Sequence, residues 1–232
     1  MSKGLFITGT DTGAGKTLIA AGLLRALQSQ GHSALGMKPI ASGCTPTKDG
    51  LRNADALALQ AAGSQQMPYD QVNPIAYAPA IAPHLAAEQS GQPIDTKRIL
   101  SAYRWLSTQA DWLVVEGVGG WHVPLGKQLM VRDLPVLLGD TKPLPVVLVV
   151  GLRLGCLNHA LLSAAAIAAD GCTLAGWVGT QTEPEMLAVE ANIATLKSRI
   201  TAPCLGCIPY LPNTKPEAVA SYFDCAPLPA KC

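Results

Sequence analysis

The sequence has little charge of either sign and no long hydrophobic run. Only 14% of its 232 residues are charged, and the formal net charge is +1. The small net charge argues against a broad nucleic-acid-binding surface, and the apolar content of 49% argues against disorder. The longest apolar run, residues 144–152, is too short to cross a bilayer. We therefore expect partners that are small molecules or a second copy of the chain.

A secretory leader and a disulfide framework are not indicated either. The first four residues lead directly into a candidate strand, without the apolar core of a signal peptide. We therefore expect a cytoplasmic protein. The cysteines are odd in number and scattered, at positions 44, 156, 172, 204, 207, 225 and 232. Cys204 and Cys207 form a C-x-x-C pattern, for which a redox pair and half a zinc site are alternatives, but the apolar segment around them favours buried thiols.

A glycine-rich stretch near the N-terminus carries the main functional signal. Residues 8–17, TGTDTGAGKT, follow a candidate strand and open a candidate helix, so that backbone N–H groups converge on one point and suit a polyphosphate. Lys16 adds a mobile positive charge and Thr17 a hydroxyl for Mg²⁺. The strict P-loop pattern requires Gly where the chain has Thr10, and Gly9 lies one residue early. An ordinary strand-to-helix turn is the alternative, and the flanking elements favour the phosphate-binding loop.

Helix and strand patterns alternate along the rest of the chain. Helices are predicted at 16–30, 53–62, 95–109, 133–139, 158–169 and 184–199, and strands at 5–7, 33–37, 112–115, 145–150, 174–178 and 204–208. The proline-rich segment 67–93 is predicted to be irregular, with one short helix at 84–89. The alternation predicts an α/β fold of the P-loop NTPase type, a three-layer sandwich with a mostly parallel central sheet and helices on both faces. Residues 1–232 are expected to form a single domain, although the tail after about residue 213 gives little signal.

Two charged residues are expected at one edge of the sheet, and a third lies at the start of a helix. Lys38 follows the second strand, Glu116 follows the strand at 112–115, and Asp55 lies in the first turn of the helix at 53–62. Ligands of α/β sheets collect at the carboxyl ends of the strands. A surface lysine, a helix-start acid and a solvated strand-end acid are the alternatives. The combination favours a nucleotide site with Mg²⁺.

Several stretches together resemble the dethiobiotin synthetase family, whose members use ATP to close the ureido ring of the biotin precursor. The stretches are GTDTGAGKT at 9–17, KPIASG at 38–43, GLRNADALALQ at 50–60, VNP at 72–74, PH at 83–84, VVEGVGGW at 114–121, GLRLGCLNHALL at 151–162, LAGWV at 174–178 and GCIPYL at 206–211. They follow in order through nearly all of residues 5–211. Many proteins share the loop alone, but the combination is specific to this family.

The resemblance implies an ATP- and Mg²⁺-dependent site, with Lys38 and Lys16 as catalytic residues. The implied Mg²⁺ ligands are Thr17, Asp55 and Glu116. The implied nucleotide contacts are Gly13, Ala14, Gly15, Lys16, Thr17, Leu18, Asp55, Glu116, Gly117, Val118, Gly119, Thr180, Ile208, Pro209 and Tyr210. The implied contacts to the second substrate are Thr12, Ser42, Gly119, Gly120, Leu154, Gly155, Cys156 and Asn158.

The resemblance also implies the reaction and the assembly. In this family, CO₂ adds to one amine of 7,8-diaminopelargonate, the carbamate attacks the γ-phosphate of ATP, and the second amine displaces phosphate to close a cyclic urea. Residues 154–158 lead into a helix whose N-terminal amides suit the substrate carboxylate. In this family that segment reaches the neighbouring subunit's site. We therefore expect a homodimer with sites at the interface, with 7,8-diaminopelargonate, CO₂ and ATP as substrates and without nucleic-acid or membrane partners.

One position departs from the family pattern. The family places Asn shortly after LAGWV, where it hydrogen-bonds adenine, and this chain has Thr180. A hydroxyl cannot match both the donor and the acceptor of an amide. Recognition of the base therefore has three alternatives. Gln181 replaces the Asn, backbone groups of residues 208–210 bind the base, or the protein selects only loosely between nucleotides.

Two other classes of P-loop protein are alternatives for the whole chain. A cobyrinate-type amide-forming synthetase would carry an amidotransferase domain, for which residues after 213 leave no room. A partition-type P-loop ATPase switch would carry an additional lysine early in the loop, and residues 9–14 contain none. A relative that has lost activity is disfavoured, because the expected site residues are all in place: Lys16, Thr17, Lys38, Asp55 and Glu116.

Overall fold

A computed structural model describes residues 2–212 and 215–228 of the protein. The strands are β1 (Lys3–Gly9), β2 (Ala34–Met37), β3 (Ile40–Ala41), β4 (Thr45–Thr47), β5 (Gly50–Arg52), β6 (Ile75–Ala76), β7 (Trp112–Glu116), β8 (Val146–Leu152), β9 (Leu174–Gln181) and β10 (Cys204–Ile208). The helices are α1 (Lys16–Ser29), α2 (Ala54–Ala62), α3 (Tyr69–Val72), α4 (Pro83–Ser90), α5 (Thr96–Leu106), α6 (Asp133–Leu138), α7 (Cys156–Ala169), α8 (Val189–Arg199) and α9 (Pro216–Ala220). Residues 1, 213, 214 and 229–232 lie outside the described ranges. They belong to the predicted single domain, and one of the seven cysteines, Cys232, is among them.

The main sheet is parallel and lies between two helical layers. Its strand order is β10-β9-β8-β1-β7-β2, and each neighbouring pair runs parallel. Alternate side chains of β1 enter different cores, since Leu5 and Ile7 pack toward α1 whereas Phe6 packs toward the layer of α5 to α8. Strands buried on both faces are continuous apolar runs, which is why the sequence predicted them. The expected three-layer α/β sandwich is confirmed.

Several element boundaries differ from the prediction. β8 and β9 run on to Leu152 and Gln181, because pairing with neighbouring strands continues past the apolar runs. The helix predicted from 184 begins only at Val189, after Ala188 in a left-handed conformation. Segment 67–93 holds more regular structure than expected: α3, the short strand β6 and α4. No helix within the described ranges is long and apolar enough to cross a membrane.

The C-terminal segment packs back onto the fold. α9 lies against α1, where a Cβ on Gly22 would come 2.9 Å from Val219 Cγ1, so a glycine in the middle of α1 allows the close approach. Beside it, β10 forms the edge of the sheet. The interpretation of Cys204 and Cys207 as buried thiols is wrong, because both are partly exposed on this edge strand.

Candidate active site

The loop between β1 and α1 presents a helix N-terminus to solvent. Gly13 and Gly15 have φ values of 84° and 89°, in the left-handed region that glycine adopts without strain. Gly15 is the N-cap of α1, and no side chain in the described residues caps that helix. The N–H groups of the first turn of α1 are therefore available to an external acceptor, and their dipole favours an anion.

Lys16 folds back over this loop. Its Nζ donates to the carbonyl oxygen of Asp11 at 2.9 Å, and only 7% of the residue is exposed. Burial, with a smaller contribution from the nearby Lys38 ammonium, lowers the pKa of Lys16 to about 8. An anionic ligand would favour the charged form and relieve the desolvation, so Lys16 is suited to bind phosphate.

A second lysine joins two carboxylates at the ends of β2, β7 and α2. Lys38 Nζ lies 2.6 Å from Glu116 Oε1 and 3.2 Å from Asp55 Oδ2. Glu116 Oε1 also accepts a hydrogen bond from Thr17 Oγ1 at 2.9 Å. Burial alone would lower the pKa of Lys38, but attraction to Glu116 and Asp55 raises it above its ordinary value. Lys38 is therefore a fixed positive charge and hydrogen-bond donor rather than a base.

Residues that the sequence interpretation did not assign to the site hold Lys38 in position. Asn73 is buried, and its Nδ2 donates to the carbonyl oxygens of Lys38 at 2.7 Å and Ile75 at 3.1 Å. Its Oδ1 accepts from the Tyr69 hydroxyl at 3.1 Å, and that hydroxyl accepts from the N–H of Asn53. The network thus connects Lys38 to the start of α2, where Asp55 lies. In the sequence, Asn73 belongs to the VNP stretch at 72–74, one of those that carry the family resemblance.

We expect Asn73→Ala to destabilise the protein and to lower turnover. The substitution removes the amide that donates to the Lys38 carbonyl oxygen and the acceptor of the Tyr69 hydroxyl proton, which costs about 1–3 kcal/mol. Thermal and urea denaturation measure the loss. Asn192→Ala is the matched control, because the Asn192 amide makes a single hydrogen bond at an exposed position, to the Ala188 carbonyl. Equal stability of the two variants would contradict a positioning role for Asn73.

The chemistry of the cluster fits a magnesium ion. Glu116 Oε2 is buried and has no hydrogen-bond partner among the described residues, so one oxygen of this carboxylate is unused. The side chain of Asp55 is 45% exposed. Carboxylate and hydroxyl oxygens are the ligands that Mg²⁺ prefers. Over the described ranges, no three His, Cys, Asp or Glu side chains are grouped to hold a metal. Protein ligation would therefore be limited to the two carboxylates and the Thr17 hydroxyl.

The charged cluster and the loop border one cavity of about 720 Å³. Of the predicted site residues, those that line it are Thr12, Gly13, Gly15, Lys16, Thr17, Leu18, Lys38, Ser42, Asp55, Glu116, Val118 and Gly119. Its wall also contains residues that the sequence interpretation left out, namely Ala41, Asn53, Ala80, Ile81, Ala82, Pro83 and Val123. The proline-rich segment thus supplies a wall of the cavity, which its irregular pattern did not indicate.

Three residues that the sequence predicted as contacts, Ala14, Gly117 and Gly120, do not line this cavity. Ala14 is buried beneath the loop. A Cβ on Gly117 would come 3.0 Å from the Phe6 ring, and a Cβ on Gly120 would come 3.3 Å from the carbonyl oxygen of Gly9. Larger side chains at these glycines would push the turn after β7 away from the phosphate-binding loop.

The predicted base contacts lie beside the loop, at the ends of β9 and β10. Thr180 is 4% exposed, and its hydroxyl has no partner among the described residues. Its methyl group packs against Gly15, where an added Cβ would lie 2.9 Å away. Thr180 pairs with Ile208 in the sheet, and Pro209 and Tyr210 follow it. The arrangement brings this end of the sheet next to the phosphate-binding loop.

The segment before α7 lies on the surface near the loop. Arg153 forms an ion pair with Asp11, which ties the segment to the phosphate-binding loop. Leu154 is 99% exposed, Gly155 caps α7, and Asn158 lies in its first turn. The side chain of Cys156 is buried, and its N–H donates to the carbonyl oxygen of Arg153 at 2.9 Å.

Curated relatives match the chain almost from end to end. The ATP-dependent dethiobiotin synthetase BioD of Pseudomonas aeruginosa is 54% identical over 224 residues, which is 96% of each chain. The proteins of the same name from Cellvibrio japonicus and Xanthomonas campestris are 51% and 50% identical, over 97% and 94% of this chain and 97% and 96% of theirs. A family model described as an AAA domain matches residues 3–218.

Solved structures share the fold at low sequence identity. The septum site-determining protein MinD of Pyrococcus horikoshii, solved with Mg-ADP, has a TM-score of 0.53 and 16% identity, covering 96% of this chain and 87% of its own. Chloroplast FtsY of Physcomitrella patens has a TM-score of 0.54 and 16% identity over 96% of this chain. This chain spans 65% of that FtsY chain. These P-loop NTPase neighbours confirm the expected fold class.

Proposed function

The chain belongs to the ATP-dependent dethiobiotin synthetase family, and from this premise we propose that it joins CO₂ to 7,8-diaminopelargonate and closes the ureido ring with ATP. The products are dethiobiotin, ADP and phosphate. The observation that carries this proposal is the cavity in which Lys16, Lys38, Asp55 and Glu116 meet the N-terminus of α1. Such a site suits phosphoryl transfer between two small molecules.

The proposed chemistry explains why two lysines line the cavity. A carbamate is a poor electrophile until its oxygen is phosphorylated, so the main task is to orient that oxygen and to stabilise charge on the γ-phosphoryl group. Lys16 and the amides of α1 bind the phosphates. Lys38, held protonated by Glu116 and Asp55, donates to the transferring group. Both lysines act as catalytic residues through charge and position.

Thr17, Asp55 and Glu116 would hold Mg²⁺, since their oxygens meet at the cavity and one Glu116 oxygen is unused. When bound, the ion neutralises charge on the phosphates. The other oxygen of Glu116 accepts hydrogen bonds from the Lys38 ammonium and the Thr17 hydroxyl.

The remaining predicted contacts divide between the two substrates. We assign the nucleotide to the loop, to the turn at 116–119 and to the ends of β9 and β10, which adjoin the loop. We assign the diamine to the part of the cavity near Thr12, Ser42 and the turn at 119–120. The segment 154–158 is proposed to bind the substrate carboxylate.

A homodimer is supported by the surface of α7. The side chain of Leu154 is almost fully exposed, and Leu162, farther along this alanine-rich helix, is 62% exposed. We propose that these two leucines, one before α7 and one on it, lie at the dimer interface. Sedimentation velocity that finds only monomer at assay concentrations would contradict the dimer.

A cytoplasmic location is also proposed, in agreement with the six free cysteines of the described residues.

Nucleotide selectivity is expected to be loose. We predict that Thr180→Asn raises the preference for ATP over GTP about 3- to 10-fold, because one added neutral hydrogen bond contributes about 0.5–1.5 kcal/mol. The measurement is kcat/KM with ATP, GTP and CTP, with the distant Thr195→Asn as control. A strong preference for ATP in the unaltered protein, unchanged by Thr180→Asn, would show that another group recognises the base.

The two rival functions are not favoured. Relatives at about 50% identity carry the synthetase name along the whole length of this chain. The likeness to MinD extends to the fold at 16% identity and not to its function. Incubation with Mg-ATP, bicarbonate and 7,8-diaminopelargonate, followed by mass spectrometry, tests the proposal. Dethiobiotin is the expected product, and its absence while ATP is consumed would contradict the synthetase function.

A further inference from the structure

The edge strand β10 carries two thiols that face each other. The Sγ atoms of Cys204 and Cys207 are 3.7 Å apart. In a regular strand, residues three apart point to opposite faces of the sheet. Here the register against β9 shifts between Cys204 and Gly206, and the additional residue of this bulge turns both thiols to the same face. Leu205 and Ile208, also three apart, are buried together in the core on the other face.

The pKa values of the two thiols are shifted in opposite directions. The contact between the two sulfurs lowers the pKa of Cys204 to about 6, against the effect of burial. The positive charge of Lys197 lowers the pKa of Cys204 further. The same contact between the sulfurs raises the pKa of Cys207. The lower pKa favours Cys204 as the attacking sulfur.

The other described cysteines lack this arrangement. Cys44, Cys156, Cys172 and Cys225 are buried. Burial raises the pKa of the thiols of Cys44, Cys172 and Cys225. A metal does not account for the pair, because no group of three or more His, Cys, Asp or Glu residues in the described ranges is placed to hold one.

We propose that Cys204 and Cys207 form a reversible dithiol–disulfide site that reacts with peroxide. The Cys204 sulfur attacks one oxygen of hydrogen peroxide, the O–O bond breaks, hydroxide leaves, and a sulfenic acid forms. The Cys207 sulfur then attacks the Cys204 sulfur, the S–O bond breaks, and the leaving hydroxide takes the Cys207 proton to give water. Two electrons pass from the thiols to the peroxide. A dithiol reductant reverses the reaction by thiol–disulfide exchange.

The position of the pair couples it to the base-binding end of the sheet. Disulfide formation brings the sulfurs from 3.7 Å to about 2.05 Å. Cys207 pairs with Gly179 on β9, and a Cβ added to Gly179 would lie 3.4 Å from Cys207 Sγ. The following residues of the two strands, Ile208 and Thr180, also pair with each other. Movement of the bulge is therefore transmitted to Thr180, which packs against Gly15. This second step rests on the proposed nucleotide site.

Peptide mapping tests the oxidation. The reduced protein is treated with hydrogen peroxide, alkylated and digested. We expect the peptide with Cys204 and Cys207 to lose two alkylatable thiols and two hydrogen masses, with recovery after dithiothreitol. Cys207→Ser is expected to leave a sulfenic acid at Cys204 that dimedone traps, whereas the matched control Cys225→Ser is expected to form the disulfide normally. Oxidation of Cys44 or Cys172 as fast as Cys204, or the absence of a disulfide, would overturn the site.

Mg-ADP titration of the reduced and oxidised protein tests the coupling. We expect the disulfide to weaken binding about 5-fold or more, and Cys207→Ser to show no such peroxide effect. Unchanged affinity in a protein shown by mapping to hold the disulfide would overturn the coupling. Failure of the reduced protein to bind Mg-ADP would instead overturn the proposed nucleotide site, since the mapping result does not depend on nucleotide binding.

Discussion

Lys38→Ala is expected to lower kcat by about 10²- to 10³-fold, comparable with the removal of one preorganised donor from an oxyanion site. The loss follows from geometry, because Lys38 Nζ lines the cavity and is fixed between Glu116 at 2.6 Å and Asp55 at 3.2 Å. Without this cation, Lys16 is the lysine that remains among the residues lining the cavity. Steady-state assays of phosphate release measure the effect.

Two further variants separate a chemical role of Lys38 from a structural one. Lys38→Arg retains a charge but not the compact ammonium, so turnover is expected to remain low while the melting temperature is largely retained. Lys97→Ala removes an exposed lysine on α5 and is expected to leave turnover unchanged. Near-normal activity of Lys38→Ala would remove Lys38 from the mechanism.

Glu116→Gln is expected to lower kcat by about 10²-fold or more and to raise the Mg²⁺ concentration needed for half-maximal activity. The substitution removes the charge of a carboxylate that is 1% exposed, contacts Lys38 and Thr17 through one oxygen, and leaves the other oxygen unused. It also deprives the buried Lys38 of its nearest counter-charge, which costs stability of about 3–5 kcal/mol. Activity titrated with Mg²⁺ and a thermal denaturation curve record both effects.

The loss of stability makes a second variant necessary. Glu116→Asp retains the charge on a shorter side chain, so we expect it to be more stable than Glu116→Gln. We also expect its activity to require more Mg²⁺ and to be partly restored when Mg²⁺ is added. The exposed Glu190 on α8 supplies the control Glu190→Gln, which is expected to behave as the unaltered protein. An unchanged Mg²⁺ dependence in both Glu116 variants would exclude Glu116 from the metal site.

The elements that could be predicted are those determined by local pattern. β8 is a continuous apolar run because both of its faces are buried, and α2 begins after Asn53, whose side chain accepts from the N–H of Ala56. The convergence of Lys38 and Glu116, 78 positions apart in sequence, was expected because carboxyl ends of parallel strands share an edge. The structure confirms it.

Features that depend on long-range packing were not predictable. The register shift in β10 exists only against β9, so the sequence interpretation placed Cys204 and Cys207 among buried thiols. α9 is a single short turn that is formed by its packing against Gly22 of α1. The hydrogen bonds of Asn73 likewise depend on a proline-rich segment folding back over β2, and the VNP stretch that contains Asn73 does not indicate these contacts.

Isotope incorporation measured together with phosphate release tests the proposed function most directly. The protein is incubated with Mg-ATP and labelled bicarbonate, with and without 7,8-diaminopelargonate, and acid-stable label and phosphate are counted. One mole of label per mole of phosphate, both dependent on the diamine, is the predicted result. ATP hydrolysis that proceeds equally well without the diamine and fixes no label would contradict the synthetase reaction and favour a nucleotide-driven switch.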